Sequence, residues 1–180
     1  MLFQIFSLLL NVAVGLVAGT CLLRMFMQLQ RVSLAPLSGN PFGPFIFTFT
    51  NWCVLPLRKL LPTAGRLDLA SLLAAYLVIL AKFVLLSVLS MLPPQWEWIA
   101  FFALLEWVHL ALSSLMWLVI AYVVLSWVRT DSDINYFMGR LVEPLLAPLR
   151  RILPQPGGLD LSPLALLLLI QIAEIVINAL

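Results

Sequence analysis

Pro148-Leu149-Arg150-Arg151-Ile152-Leu153-Pro154-Gln155-Pro156-Gly157-Gly158-Leu159-Asp160 stands directly before an apolar run, Leu161 to Ala173. Ninety-two residues earlier the chain reads Pro56-Leu57-Arg58-Lys59-Leu60-Leu61-Pro62-Thr63-Ala64-Gly65-Arg66-Leu67-Asp68, again directly before an apolar run, Leu69 to Ala81. The two superpose without a gap, and from Pro56 to Leu72 10 of 17 positions are identical. Five of those matches are leucines, cheap in a leucine-rich chain. Pro56, Arg58, Pro62, Gly65 and Asp68 are not cheap, and their recurrence reads as a tandem duplication. The boundary falls after Leu92, giving repeats 1–92 and 93–180 within one integral membrane domain.

Composition sets the class. The chain is 63% hydrophobic and 10% charged, with a mean hydropathy of +1.10. Eighteen charged side chains cannot cover a globule of 180 residues, so lipid must cover most of the surface. A net charge of +2 gives no footprint for nucleic acid. Cys21 and Cys53 are distant in sequence, with no CxxC and no neighbouring histidine, and specify neither a zinc site nor a redox dithiol. The start, Met1-Leu2-Phe3-Gln4, lacks a basic n-region, so the first apolar run reads as a retained span.

Four spans are expected, about Leu2 to Leu23, Leu69 to Leu92, Ile99 to Val128 and Leu161 to Leu180, against the ~20 residues that cross a bilayer core. Asp68 is placed to cap the second span, and Asp160 or Ser162 the fourth. Gly65 and Gly157, after Pro62 and Pro154, permit tight turns into the returning spans. In the first span Asn11, Gly15 and Gly19 share a face. A homodimer contact is one reading of it, and packing against the chain's own helices is the favoured one.

Between the third and fourth spans, Ile134, Phe137, Met138, Leu141, Val142, Leu145, Leu146 and Leu149 keep helical spacing. Asn135, Arg140, Glu143 and Arg150 lie off that stripe. This predicts an amphipathic helix lying in the membrane interface, bent or segmented by Pro144 and Pro148. The same register places a matching, less polar element over Phe45 to Leu57. Nine of the ten Lys and Arg residues follow the first span (Arg24, Arg31, Arg58, Lys59, Arg66) or the third (Arg129, Arg140, Arg150, Arg151). The positive-inside rule then puts both long loops in the cytoplasm and both termini outside. The fold expected is an all-α membrane protein: four transmembrane helices as two parallel tandem repeats, each with a cytoplasmic-side interfacial amphipathic helix.

Asn40-Pro41-Phe42 ahead of an apolar stretch, then Pro-Leu-Arg-(Lys/Arg)-x-Leu-Pro-x-x-Gly-x-Leu-Asp twice, with four spans, resembles the YggT family of bacterial inner-membrane proteins. The resemblance covers nearly the whole chain. It implies inner-membrane location and the two-repeat plan, and carries no established reaction. Associations within the family range from cytochrome b6 maturation and nucleoid distribution in plastids to division-gene neighbourhoods and osmotic tolerance in bacteria. Glu143-Pro144 matches the family pattern, whereas the first copy has Asn51-Trp52 there.

The chemistry-bearing residues are few. No nucleophile–base arrangement, phosphate loop or HExxH occurs, and a single histidine supports neither two-histidine haem ligation nor a His-rich metal site. The chain therefore reads as non-enzymatic, without metal or cofactor. Arg58, Lys59, Arg140, Arg150 and Arg151 are candidates for contact with anionic lipid headgroups or an acidic partner, at about ~1 kcal/mol per basic residue near an anionic surface. Lys82, Glu106, His109 and Glu174 fall within spans, where a charge at a helix centre costs about ~2.5–3.5 kcal/mol and normally pairs inside the bundle. Lys82 is expected to face the bundle within reach of Glu106 or Glu174; Glu174 stands ninety-two residues after it, an opposition that suggests a salt bridge locking the two halves. An adaptor or assembly factor serving other membrane proteins is the reading favoured. A small ion channel or transporter built on the Lys82, Glu106, His109 and Glu174 cluster is the alternative.

Overall fold

The computed structural model describes residues 1–32, 34, 42–61, 67–90, 96–127, 133–153 and 160–179. Pro62, Gly65, Pro154 and Gly157, expected to shape the turns, lie outside the described residues. Six helices are present among the described residues: α1 Leu2–Leu29, α2 Gly43–Leu60, α3 Leu69–Leu89, α4 Trp96–Trp127, α5 Asp133–Ile152 and α6 Ser162–Asn178. Three of them (α1, α3 and α4) are long and apolar enough to cross a membrane. At 17 residues, α6 is shorter, spanning about 25 Å at ~1.5 Å per residue against a ~30 Å hydrocarbon core.

In each half two apolar helices pack on each other, and the helix between them in sequence packs on both: α1 and α3 with α2, α4 and α6 with α5. Further contacts of α4 with α1 and α3 join the halves. The α1–α3 seam is built from small side chains. Ala18, Ala70, Ala74 and Ala75 are almost wholly buried beside Val14, Cys21 and Ile79. Small residues let helix backbones approach closely, so dispersion and packing hold a contact that gains little from hydrophobic burial in lipid. Gly19 meets Ser114 of α4 at ordinary contact distance, Gly15 has open space beside it, and Asn11 is exposed. These three therefore do not form one buried seam.

The amphipathic stripe of α5 turns inward. Phe137, Met138, Leu141, Val142 and Leu146 are buried against Met27 and Val32, Ile46 of α2 and Val119 of α4. The face expected to dip into lipid is thus part of the protein's own second core. Periodicity detects an apolar face but not what covers it. Nor do the prolines segment the helix. α5 runs unbroken through Pro144 and Pro148, and α2 through Pro56. Each proline gives up one backbone hydrogen bond, and Pro56, Pro144 and Pro148 all sit on exposed surface, where the freed carbonyls are not sealed in the core.

α1 continues past the expected end of its span. It closes in a Schellman arrangement, with Val32 N donating to Met27 O at 2.9 Å and Arg31 N to Gln28 O at 3.0 Å. Val32 and Met27 pack in the same cluster, the apolar contact that accompanies this motif. Arg31 holds the left-handed position with φ 56°. Glycine would take that conformation without penalty, whereas a side chain there costs ~1–2 kcal/mol. At the start of α2, a Cβ on Gly43 would lie 2.7 Å from Leu34 O, so only glycine fits that close approach.

Candidate functional site

The repeated motif makes the same contact twice. Asp68 is the N-cap of α3. Its Oδ1 accepts from Ser71 N at 3.2 Å, and its Oδ2 accepts from Ser71 Oγ at 2.8 Å. Arg58, on the last turn of α2, donates from Nη2 to Asp68 Oδ2. In the second half Arg150 Nε donates to Asp160 Oδ2 at 2.8 Å, with Nη2 in ion-pair contact with the same oxygen at 2.7 Å. Asp160 Oδ1 accepts from Ser162 N at 2.9 Å. The capping residue of α6 itself is Leu161, which makes no side-chain cap bond, so Asp160 acts one position upstream. Each arginine thus clasps the end of a connecting helix to the start of the next apolar helix. Anionic side chains are favoured there by the unpaired amides and the helix dipole.

The two clasps differ in their third member. In the first half Arg24 of α1, almost fully buried, reaches Asp68 with Nε at 3.9 Å. Its Nη1 donates to Thr50 Oγ1 at 2.6 Å and to Asn51 Oδ1 at 3.0 Å, and its guanidinium lies 5.0 Å from the Phe47 ring centre. Two guanidiniums therefore face one carboxylate. In the second half Arg150 Nη1 donates to both oxygens of Glu143, at 2.5 and 2.6 Å, and Nη2 is 3.5 Å from Tyr122 Oη. There one guanidinium faces two carboxylates. Burial pushes both aspartates up, but the hydrogen bonds win. Arg58 and Ser71 hold Asp68 below the usual carboxylate range, and Ser162 and Arg150 do the same for Asp160. Burial lowers Arg150, yet Asp160, Glu143 and Tyr122 together raise it above the ordinary guanidinium value.

The dibasic pairs therefore split. Arg58 and Arg150 turn inward to their aspartates, while Lys59, Arg151 and Arg140 stand on the exposed faces of α2 and α5.

In the apolar part of the bundle, Lys82 of α3 is buried and donates to both oxygens of Glu106 on α4; the longer bond is 2.5 Å. Lys82 Nζ also lies 4.7 Å from the Phe83 ring centre. Glu174 takes no part. Its Oε1 accepts from Ser113 Oγ at 2.7 Å. The bridge between halves therefore joins Lys82 to Glu106, not to Glu174 as the register suggested. His109 Nδ1 is buried and has no hydrogen-bond partner among the described residues.

Two contacts were not legible from spacing. Arg24 counted only as a loop charge after a span ending at Leu23, because nothing in sequence marks one arginine as continuing a helix. Cys21 and Cys53, free and 32 residues apart, bring their Sγ atoms within 3.8 Å between α1 and α2. Among the described residues no group of three or more His, Cys, Asp and Glu side chains is placed to hold a metal ion.

Three apolar helices able to cross a bilayer, with connecting helices clasped by ion pairs to the starts of α3 and of the shorter α6, mark a helical membrane protein. The CCB3/YggT family profile matches residues 2–89 and 101–180, and the chain belongs to that family. It is 35% identical over 168 residues to "Uncharacterized protein YggT" of Escherichia coli K12, covering 92% of this chain and 85% of that protein. It is 35% identical over 172 residues to "Uncharacterized protein in proC 3'region" of Vibrio alginolyticus, covering 93% of this chain and 90% of the relative. An uncharacterized protein of Pseudomonas aeruginosa is 36% identical over 163 residues, covering 87% and 79%. No solved structure matches the chain.

Proposed function

We propose that this protein is a non-enzymatic inner-membrane adaptor or assembly factor, stabilising other membrane proteins through the end of the bundle where α3 and α6 begin. On this reading α6 is the fourth span, the chain is two parallel tandem repeats, and both termini face away from the cytoplasm. The division of labour within the dibasic pairs carries the proposal. Arg58 and Arg150 each hold an aspartate, whereas Lys59, Arg151 and Arg140 stand exposed toward anionic headgroups or an acidic partner. The outer face of α2 adds exposed Phe45, Trp52, Leu55 and Leu60, an apolar surface suited to lipid or to another membrane helix. Purification in mild detergent should retain a stoichiometric membrane partner. Charge reversal at Lys59 and Arg151 should release it while leaving the thermal transition in place. Equal partner yield from the reversed variant would overturn the proposal, as would labelling of a cysteine placed at Gln95 only from the cytoplasmic side.

The second reading, an ion or proton path, has one observation in its favour: the unpartnered Nδ1 of His109 lies one turn from Glu106. Ion flux through purified protein in liposomes, abolished by Glu106→Gln without loss of folding, would select it. The closed Lys82–Glu106 pair favours a lock over a path.

A further inference from the structure

We infer that the first half of the molecule holds a binding site for one phosphate-class anion that the described residues of the second half do not repeat. A cleft of about 300 Å³ opens beside the first clasp, lined by Arg24, Gln28, Arg31 and Arg58 over Val32, Leu34 and Phe47. Three arginines line it, and the carboxylate of that clasp, Asp68, is fully buried. The buried Nε atoms of Arg24 and Arg58 have no hydrogen-bond partner among the described residues. Arg24 is 1% exposed, so its charge cannot be relieved by swinging into water. A guanidinium in that position is under-compensated, and planar N–H pairs match the oxygens of a phosphate.

Arg31 gives the independent indication. It occupies a helix-ending position where glycine would be free of penalty, and it lines the cleft. Non-glycine residues held in this backbone conformation concentrate at ligand-binding sites.

The second half supplies the contrast. The same register places Met116, Ile120 and Val123 where Arg24, Gln28 and Arg31 stand, and Glu143 where Asn51 stands. There an internal carboxylate already occupies the arginine. The missing acid of the first half is what an external anion would replace. The site stands apart from the adaptor reading, since its test measures anion binding and not assembly.

The anion could be the phosphate of a lipid headgroup or free phosphate, and the experiment separates them. Full-length protein is delipidated in a neutral detergent, and its thermal transition and native mass spectrum are recorded with phosphatidylglycerol, phosphatidylcholine or inorganic phosphate. We expect one retained phosphatidylglycerol and an upward shift that phosphatidylcholine does not produce. A shift with inorganic phosphate alone would identify free phosphate as the ligand. Arg31→Gly should abolish binding while keeping the fold, and Asn51→Glu should do so by supplying the carboxylate internally. Tyr136→Ala, at an exposed position of the second half, should bind as the parent does. Binding undiminished in both Arg31→Gly and Asn51→Glu would overturn the site, and so would failure of both phosphatidylglycerol and phosphate to bind the parent.

Discussion

The two clasps share an arginine, an aspartate and their spacing, yet they sit in different surroundings. In the first, the Asp68 side chain is 0% exposed and a second buried arginine crowds in. In the second, the Arg150 and Asp160 side chains are 26% and 31% exposed and the third member, Glu143, is at the surface. A motif repeated in sequence therefore fixes a contact but not its energy. The energy depends on how completely water is excluded and on whether the third charge adds to the arginine side or the acid side.

The largest expected effect tests that difference directly. Asp68→Asn leaves Arg24 and Arg58 facing each other with no carboxylate, and should cost on the order of 3–5 kcal/mol, as breaking a buried pair does. Asp160→Asn should cost about 0–1 kcal/mol, in the range of exposed pairs. Thermal transitions in one detergent compare them, and equal losses would mean burial does not separate the clasps.

Lys82→Met serves as a reference outside both clasps. It leaves Glu106, whose side chain is 35% exposed, without its partner, for a loss of about 1–3 kcal/mol. Adding Glu106→Gln should recover much of that loss, because no uncompensated charge remains.

Acid should act next. Both aspartates titrate below their ordinary values, so each contributes stability that is complete above the usual carboxylate pKa of ~3.9 and is lost as pH falls through the lower folded value. The transition should hold steady down to about pH 5 and fall below about pH 4, with Asp68→Asn flattening that fall more than Asp160→Asn. The smallest effect has the opposite sign. Arg31→Gly relieves the left-handed backbone and should stabilise the protein by up to about 1 kcal/mol.

Much of this was legible before any coordinates. The recurring Arg and Asp marked the motif, though the arginines read as headgroup contacts and not as partners of the aspartates; the apolar run after Asp68 marked α3, because a capping acid before a leucine run has few other uses. The pairing of Lys82 with an acid followed from the cost of burying an ammonium alone, though two acids satisfied that argument and geometry chose Glu106. What was not legible depended on neighbours distant in sequence. The α5 stripe announced a buried face, but whether lipid or protein covered it depended on Met27, Ile46 and Val119. Arg24 and the approach of Cys21 to Cys53 required knowing that α1 continues to Leu29 and that α2 folds back on it.

The inward stripe of α5 also bears on the order in which the chain is made. Its principal seat consists of Met27, Val32, Ile46 and Val119, all translated before Phe137. When α5 leaves the ribosome, most of the residues that receive it have already been made, Leu166 and Leu167 of α6 excepted. The first half has no such advantage. Val54 of α2 shares its core with Ala70, Ala74 and Ala75 of α3, and Ile46 on the same helix shares the other core with Phe137 and Leu141. That helix must stand partly uncovered until α5 arrives, so nascent protein stalled between residues 60 and 137 carries an exposed apolar face of the kind chaperones bind.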